Sequence, residues 1–282
     1  MLGQDLLAAA QAAGHELLAF PRADLDITDA AAVSRVFADA RPDVVINSAA
    51  WTNVDGAESD EAGALAVNGT GAGNVARSAA ACGAWTLHVS SDYVFDGSKR
   101  SPYVESDPVA PLSAYGRTKL AGEAAVAVQA PGRHTIVRSS WLFGAAGPCF
   151  PATILRLAAE RNELKVVDDQ IGCPTFTAHL AGALLELAAR PASEGRPAGI
   201  VHIAAGGSCS WFELAREIVA RAGVTCEVKP CSTEEFPRPA TRPAYSVLRS
   251  ERGDEVPVLP EWREGLARYM ALAAAAREVR AA

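Results

Sequence analysis

The stretch Ala84-Trp85-Thr86-Leu87-His88-Val89-Ser90-Ser91-Asp92-Tyr93-Val94-Phe95-Asp96-Gly97 (84–97) decides how this chain reads. It begins as a short apolar run rich in β-forming residues and ends in Ser, Asp and Gly, the residues that terminate strands. Working outward, similar runs occur at Glu16–Phe20, Asp43–Ala50 and His134–Ser139. Between them lie alanine-rich segments with helical patterning. One runs through Leu6–Ala13 and closes at Gly14, one runs from Asp29 to Ala40, one spans Ala62–Ala81 before Gly83, and one spans Tyr115–Val128. Thr28 and Asp29 are N-cap residues for the second of these, and a Gly just past the last periodic residue is a helix stop.

Runs of strand type alternating with helices specify successive βαβ units. The expected fold is therefore α/β, a Rossmann-like doubly wound parallel sheet. In such a sheet, ligands bind beyond the carboxyl ends of the strands. After residue 140 the elements shorten (Leu164–Val167, Ile200–Ala204, Glu227–Pro230), which predicts a smaller C-terminal substrate-binding lobe. The expected division assigns 1–140 and parts of 176–205 to the Rossmann-like domain. It assigns 141–175 and 206–260 to the substrate lobe, and 261–282 to a C-terminal helix whose alanine-rich end, 271–282, frays. The segment Pro237-Arg238-Pro239-Ala240-Thr241-Arg242-Pro243 reads as a rigid loop, because proline removes backbone donors and restricts its predecessor.

Composition narrows the class. The chain has 282 residues, 49% of them hydrophobic, and carries a net charge of −7. No basic cluster is present to displace counterions, so nucleic acid is not an expected partner. No segment reaches the roughly 20 apolar residues of a membrane span, and Met1–Asp5 has no leader character, so the expected location is cytoplasmic and no membrane partner is expected. The six cysteines, Cys82, Cys149, Cys173, Cys209, Cys226 and Cys231, show no metal-ligand spacing and read as reduced thiols.

Chemistry concentrates in three places. Tyr115-Gly116-Arg117-Thr118-Lys119 sets a phenol and an ammonium four residues apart, on one face at the start of a helix. A cation beside a phenol lowers its pKa toward the working range of an acid catalyst. Ser91, at a strand end, is placed to hydrogen-bond a substrate carbonyl and stabilise charge developing there. Asn47-Ser48-Ala49-Ala50-Trp51-Thr52 follows another strand, with small residues that admit a flat cofactor. Each has a plainer reading, as a helix turn, a cap or a turn; it is their convergence on adjacent strand ends that favours a site.

The segments L-D-I-T-D (25–29), N-S-A-A-W-T-N-V-D-G-A-E (47–58), A-V-N (66–68), S-S-D-Y-V-F-D-G (90–97), Y-G-R-T-K-L-A-G-E (115–123), R-S-S-W-L-F-G (138–144), V-D-D-Q-I-G-C-P-T (167–175) and R-P-A-Y-S-V-L (242–248) occur in that order. Together they resemble the dTDP-4-dehydrorhamnose reductase family of the extended short-chain dehydrogenase/reductases, over nearly the whole chain. The resemblance implies reduction of the C4 keto group of a 6-deoxy-4-ulose nucleotide sugar, with Ser91, Tyr115 and Lys119 catalytic. Tyr115 would donate the proton, and Lys119 would hold the cofactor ribose. Cofactor contacts fall to Gly3, Asp26, Ile27, Ala50, Trp51 and Thr52, as well as to Tyr115 and Lys119. Substrate contacts fall to Thr52, Val54, Ser91, Asp92, Val94, Phe95, Trp141 and Arg242. Trp141 would be a platform for the sugar and Arg242 a cation near the diphosphate. A homodimer is the assembly to test.

Three positions depart from the pattern or refine it. The family's first strand and glycine-rich turn precede the helix that starts at Gly3, and the sequence begins inside that turn. Either the translation start lies upstream or the pyrophosphate cradle is lost; the intact remainder favours the first reading. His179 stands where some relatives place a metal-holding glutamate, so no metal is expected. Pro21-Arg22 stands where an acidic residue would select NAD, so Arg22 points to NADPH, with NADH also accepted. The alternatives are a reductase of another dTDP-4-keto-deoxysugar, an epimerase or dehydratase of the same superfamily, and a non-catalytic subunit like the methionine adenosyltransferase β subunit. Against the last stands the joint presence of Ser91, Tyr115 and Lys119.

Overall fold

The computed structural model describes residues 1–191 and 195–281. Residues 192–194 and 282, which fall within the expected Rossmann-like domain and the expected fraying tail, lie outside the described residues. In chain order the helices are α1 (Leu2–Ala12), α2 (Ala30–Ala40), α3 (Val54–Ser59), α4 (Glu61–Leu65), α5 (Ala72–Ala81), α6 (Ala114–Gln129), α7 (Phe150–Glu160), α8 (Thr177–Ala189), α9 (Trp211–Ala222) and α10 (Trp262–Ala281). The strands are β1 (Val44–Asn47), β2 (Trp85–Ser91), β3 (His134–Ser139), β4 (Leu142–Phe143), β5 (Glu163–Val167), β6 (Ile171–Gly172), β7 (Thr175–Phe176), β8 (Gly199–His202), β9 (Cys209–Ser210) and β10 (Glu227–Cys231).

The main sheet is parallel, in the order β1-β2-β3-β8. Its registers align Ser90 with Arg138 and Ser91 with Ser139, so two hydroxyls stand side by side at its carboxyl edge. Every residue of β3 is buried, as expected of a strand covered on both faces. On one side α1 packs against α8, and Leu2, Leu6 and Ala10 share a core with Leu180, Leu184, Leu187, Leu87 and Val137. A separate cluster joins Val33 and Phe37 of α2 to Val75 and Ala79 of α5.

Local chemistry accounts for the helix ends. Asp29 caps α2 by accepting from the amides of Ala31 and Ala32 at 3.0 and 2.9 Å. Gly14 and Gly83 take left-handed backbone, φ +72° and +79°, and stop the helices before them. The segment Ala62–Ala81, expected as one helix, is interrupted: α4 and α5 are joined by a π-helical turn over Ala66–Gly71. The expected C-terminal helix spans Trp262–Ala281.

The expected strand Glu16–Phe20 is not formed. A strand exists only through hydrogen bonds to a neighbour, and this stretch has none in the sheet, where β1 is an edge. Its Leu18 and Phe20 are 58% and 45% exposed.

Beyond the sheet, the short parallel pair β5–β10 is covered by α7 and α9. Phe143, Ile154, Leu164, Leu214 and Ile218 form its core with Trp262, Leu266 and Tyr269 of α10. All six cysteines are unpaired. Among the described residues, no helix is long and apolar enough to cross a membrane.

Candidate active site

Strand β2 ends in Ser91, and α6 begins beside it. Ser113 caps α6 by accepting from the amide of Gly116 at 3.2 Å, and Glu58 accepts from the amide of Ala114 at 2.7 Å. The first turn of α6 lies against the chain leaving β2, so closely that a Cβ on Gly116 would stand 2.2 Å from the Tyr93 carbonyl oxygen. This close approach brings the Tyr115 phenol beside Ser91, near enough for the hydroxyl to favour its ionised form. Tyr93 meets the Tyr115 ring edge-on, with centroids 5.5 Å apart and planes at 82°.

Burial pushes the Tyr115 phenol up to about 12; the Ser91 hydroxyl pulls it back only in part, and Asp92 adds to the rise. The sequence reading expected the opposite direction, from Lys119. The structure turns Lys119 elsewhere: its Nζ donates to the Val89 carbonyl at 2.7 Å, and its side chain is buried. Burial lowers the Lys119 ammonium to about 8, against an opposing pull from Glu123. Tyr115 is thus a neutral phenol at physiological pH, the form a proton donor requires. Ser91 also donates to Asp92 Oδ1 at 3.0 Å. Burial raises the Asp92 carboxyl to about 7, although hydrogen bonds with Ser246 and Ser91 oppose the rise.

The stretch after β1 is held from below. Asn68, at the centre of the π-helical turn, accepts from the Trp51 amide at 2.8 Å and donates to the Trp51 carbonyl at 3.2 Å. It donates as well to Thr118 Oγ1 at 3.0 Å, and Thr118 donates to the Tyr115 carbonyl at 2.9 Å. One buried amide therefore ties Trp51 to the helix of Tyr115 and Lys119. π-Helical turns gather at functional sites, and here the turn serves to aim Asn68. The A-V-N motif assigns Asn68 no role from sequence; its signal there is a polar residue in an Ala/Gly-rich helix.

Toward the amino terminus, the first internal bonds of α1 run from Gln4 and Asp5 to the Met1 carbonyl. The amides of Leu2 and Gly3 lie outside the ladder, at the positive end of the helix dipole. Gly3 sits over the end of β1, where a Cβ would be 3.7 Å from Ser48 Oγ. An anionic group fits this corner. Asp26 accepts from the amide and hydroxyl of Thr28, and the Ile27 carbonyl accepts from Asn74 at 3.0 Å. Arg22 is exposed, in the turn just before them.

Thr52 is exposed and Val54 half-buried. Asp55 accepts from Arg242 at 3.0 Å, from the Ala240 amide at 3.2 Å and from Arg238. Burial pushes Asp55 upward, but the hydrogen bonds from Arg242, Ala240 and Arg238 outweigh it and hold the carboxyl at about 2. Sequence reasoning placed Arg242 here but missed Asp55 and Arg238. Val94 and Phe95 are fully buried, with Phe95 stacked on Tyr103 at 4.2 Å, and the Val94 carbonyl accepts from the Ala110 amide at 2.9 Å.

Trp141 has left-handed backbone, φ +47°, which is uncommon outside glycine. Its indole lies parallel to that of Trp211, which sequence reasoning also missed. A Cβ on Gly172 would lie 2.4 Å from the Trp141 Cε2, nearer than to either adjoining ring atom, and so over a ring face rather than its edge. Trp211 takes up the opposite face. His179, on α8, meets Phe176 edge-on at 5.2 Å. Among the described residues, no group of three or more His, Cys, Asp or Glu is placed to hold a metal.

Residues 1–274 match the family described as the RmlD substrate binding domain. The chain is 45% identical over 269 residues to a dTDP-4-dehydrorhamnose reductase of Streptomyces griseus, covering 94% of this chain and 88% of that protein. It is 40% identical over 261 residues to a dTDP-4-keto-6-deoxy-D-glucose reductase of Streptomyces niveus, covering 92% and 89%. The crystal structure of dTDP-4-dehydrorhamnose reductase from Bacillus anthracis, in complex with NADP, superposes with a TM-score of 0.90 at 38% identity, covering 96% of this chain and 95% of that one.

Proposed function

We propose a function from one premise: this chain belongs to the RmlD substrate binding domain family, whose matched members include reductases of dTDP-4-keto sugars. The chain is an NAD(P)H-dependent oxidoreductase that reduces the C4 keto group of dTDP-4-dehydro-β-L-rhamnose to give dTDP-L-rhamnose, in nucleotide-sugar biosynthesis. The observation that carries this reading is the convergence of Ser91, at the carboxyl edge of a parallel sheet, and Tyr115, in the first turn of the helix packed against it, with Lys119 one turn further along the same helix.

The cofactor is NADPH, with NADH also accepted, and when bound it supplies the hydride. The corner at Gly3 and Ser48 suits its pyrophosphate, Ala50, Trp51 and Thr52 its nicotinamide half, and Arg22, Asp26 and Ile27 its adenosine. Ser91 donates to the C4 oxygen of the ketone and orients it. Tyr115, protonated at neutral pH, delivers its phenolic proton to that oxygen as negative charge develops. Lys119 offers an ammonium to the ribose hydroxyls and to the phenolate left on Tyr115. Asp92 holds the sugar beside Ser91, together with Thr52, Val54 and Trp141 and with Val94 and Phe95 packed beneath, while Arg242 holds the diphosphate. The proposed division sets 1–140 and parts of 176–205 on the cofactor side and 141–175 and 206–260 on the substrate side, with helix 261–282 attached. The same reading carries a cytoplasmic location and a homodimer.

The test is NADPH oxidation by the purified chain with dTDP-4-dehydrorhamnose, followed by absorbance and by product identification. Absence of turnover with any dTDP-4-keto sugar overturns the reading. The match to a dTDP-4-keto-6-deoxy-D-glucose reductase favours one second reading, a different 4-ulose substrate, decided by comparing kcat/KM for the two sugars.

A further inference from the structure

Two residues with no role so far form a buried ion pair directly beneath the site. Glu123 on α6 is 4% exposed and Arg138 on β3 is 2% exposed. Arg138 donates twice to the carboxylate, Nε to Oε1 at 2.9 Å and a terminal nitrogen to Oε2 at 2.7 Å. Ser90 Oγ also donates to Oε1, at 2.6 Å. The guanidinium lies over the Phe95 ring, 5.1 Å from its centroid.

The positions matter more than the pair itself. Glu123 is one helical turn beyond Lys119, on the same face of the helix. Ser90 is the residue before Ser91, and Arg138 is the register partner of Ser90. A single carboxylate therefore joins the helix that carries Tyr115 and Lys119 to the strand that carries Ser91, and to the strand beside it.

We propose that Glu123 is a positioning residue of this site: its carboxylate bolts α6 to β2 and β3 and holds Lys119, one turn earlier on the same helix face, as a cation at the Val89 carbonyl. The geometry rests on the side chains alone, whereas its catalytic meaning rests on the reductase reading. The charged and titratable groups around Lys119 are Glu123 on its own helix, Tyr115 one turn earlier, and His88 on β2. His88 is neutral, since burial and then the nearby Lys119 push its pKa well below the ordinary value. Arg138 faces Glu123 from β3. Of these groups only Glu123 favours the protonated ammonium.

The test uses the full chain and Glu123→Gln, which keeps the shape and the Ser90 contact but removes the charge. With [13Cε]lysine labelling, the chain gives four lysine signals, from Lys99, Lys119, Lys165 and Lys229; Lys119→Met identifies one of them. In Glu123→Gln the Lys119 signal titrates at least about one unit lower than in the wild type, the size expected from losing one close countercharge. In the reductase assay, kcat falls by about tenfold or more with little change in KM for NADPH, and its alkaline limb moves to lower pH. Glu123→Leu combined with Arg138→Met removes both charges and restores an apolar packing that buried pairs tolerate. This double variant covers the case in which the single one does not fold. Its Lys119 signal must also titrate lower and its kcat remain depressed. A folded variant of either kind with the wild-type Lys119 titration and wild-type kcat overturns the proposal. Absence of wild-type turnover would instead overturn the reductase reading and leave the lysine titration to decide the role of Glu123.

Discussion

The indoles of Trp141 and Trp211 lie face to face, centroids 3.5 Å apart and planes 4° apart, with Gly172 against the far side of Trp141. A substrate ring cannot lie flat on Trp141 while both faces are taken, so contact falls to its edge or follows a movement of Trp211. Trp141→Ala is expected to raise KM for the sugar nucleotide about tenfold and leave KM for NADPH unchanged; steady-state kinetics check this. Because φ is positive at this position, Trp141→Gly should be more stable than Trp141→Ala by about 1 kcal/mol in denaturant unfolding.

Tyr115→Phe removes the phenolic proton and leaves the ring contact with Tyr93. We expect kcat to fall by about 100-fold or more, with unfolding midpoint and cofactor affinity retained. Most of the wild-type kcat surviving in this variant would remove Tyr115 from its role.

Asp92 gives a pH dependence with a definite sign. Its carboxyl rises from 3.8 to about 7 on folding because of burial. Between those values the native state binds a proton that the unfolded state has released, so stability falls as pH rises from about 4 to about 7. Asp92→Asn removes this loss. At pH 8 the variant should exceed the wild type by about 2–4 kcal/mol, apart from the change in its hydrogen bonds, and the advantage should shrink toward pH 4. Denaturant unfolding across pH measures it, and a pH-independent difference would contradict the assignment.

The Asp55 carboxylate orients two guanidiniums of the Pro-rich loop. Asp55→Asn keeps one oxygen for Arg242 but loses the charge that aligns both arginines. KM for the sugar nucleotide should rise about tenfold, kcat should change less than about threefold, and added salt should affect the variant less than the wild type.

Arg22 is an exposed cation near the expected adenosine site. Arg22→Ala should reduce kcat/KM for NADPH about tenfold and spare NADH, which corresponds to about 1.4 kcal/mol of discrimination. Equal losses with both cofactors would make Arg22 a surface charge.

The sequence by itself determined the alternation of strands and helices, the strand ends that converge on the site, and the trio Ser91, Tyr115 and Lys119. These are local properties: a hydroxyl at a strand terminus and two side chains four residues apart on a helix keep their relation wherever the units pack. Only the tertiary structure decided that Glu16–Phe20 forms no strand, since a β-strand depends on a neighbour that its own residues do not encode. It also decided the partners at long range, Ser90 with Glu123 across 33 residues and Asp55 with Arg242 across 187. The direction of the Tyr115 shift belongs here too. Spacing places a cation near the phenol, but burial depends on everything packed around it, and the cost of a buried phenolate exceeds what Lys119, turned to the Val89 carbonyl, returns.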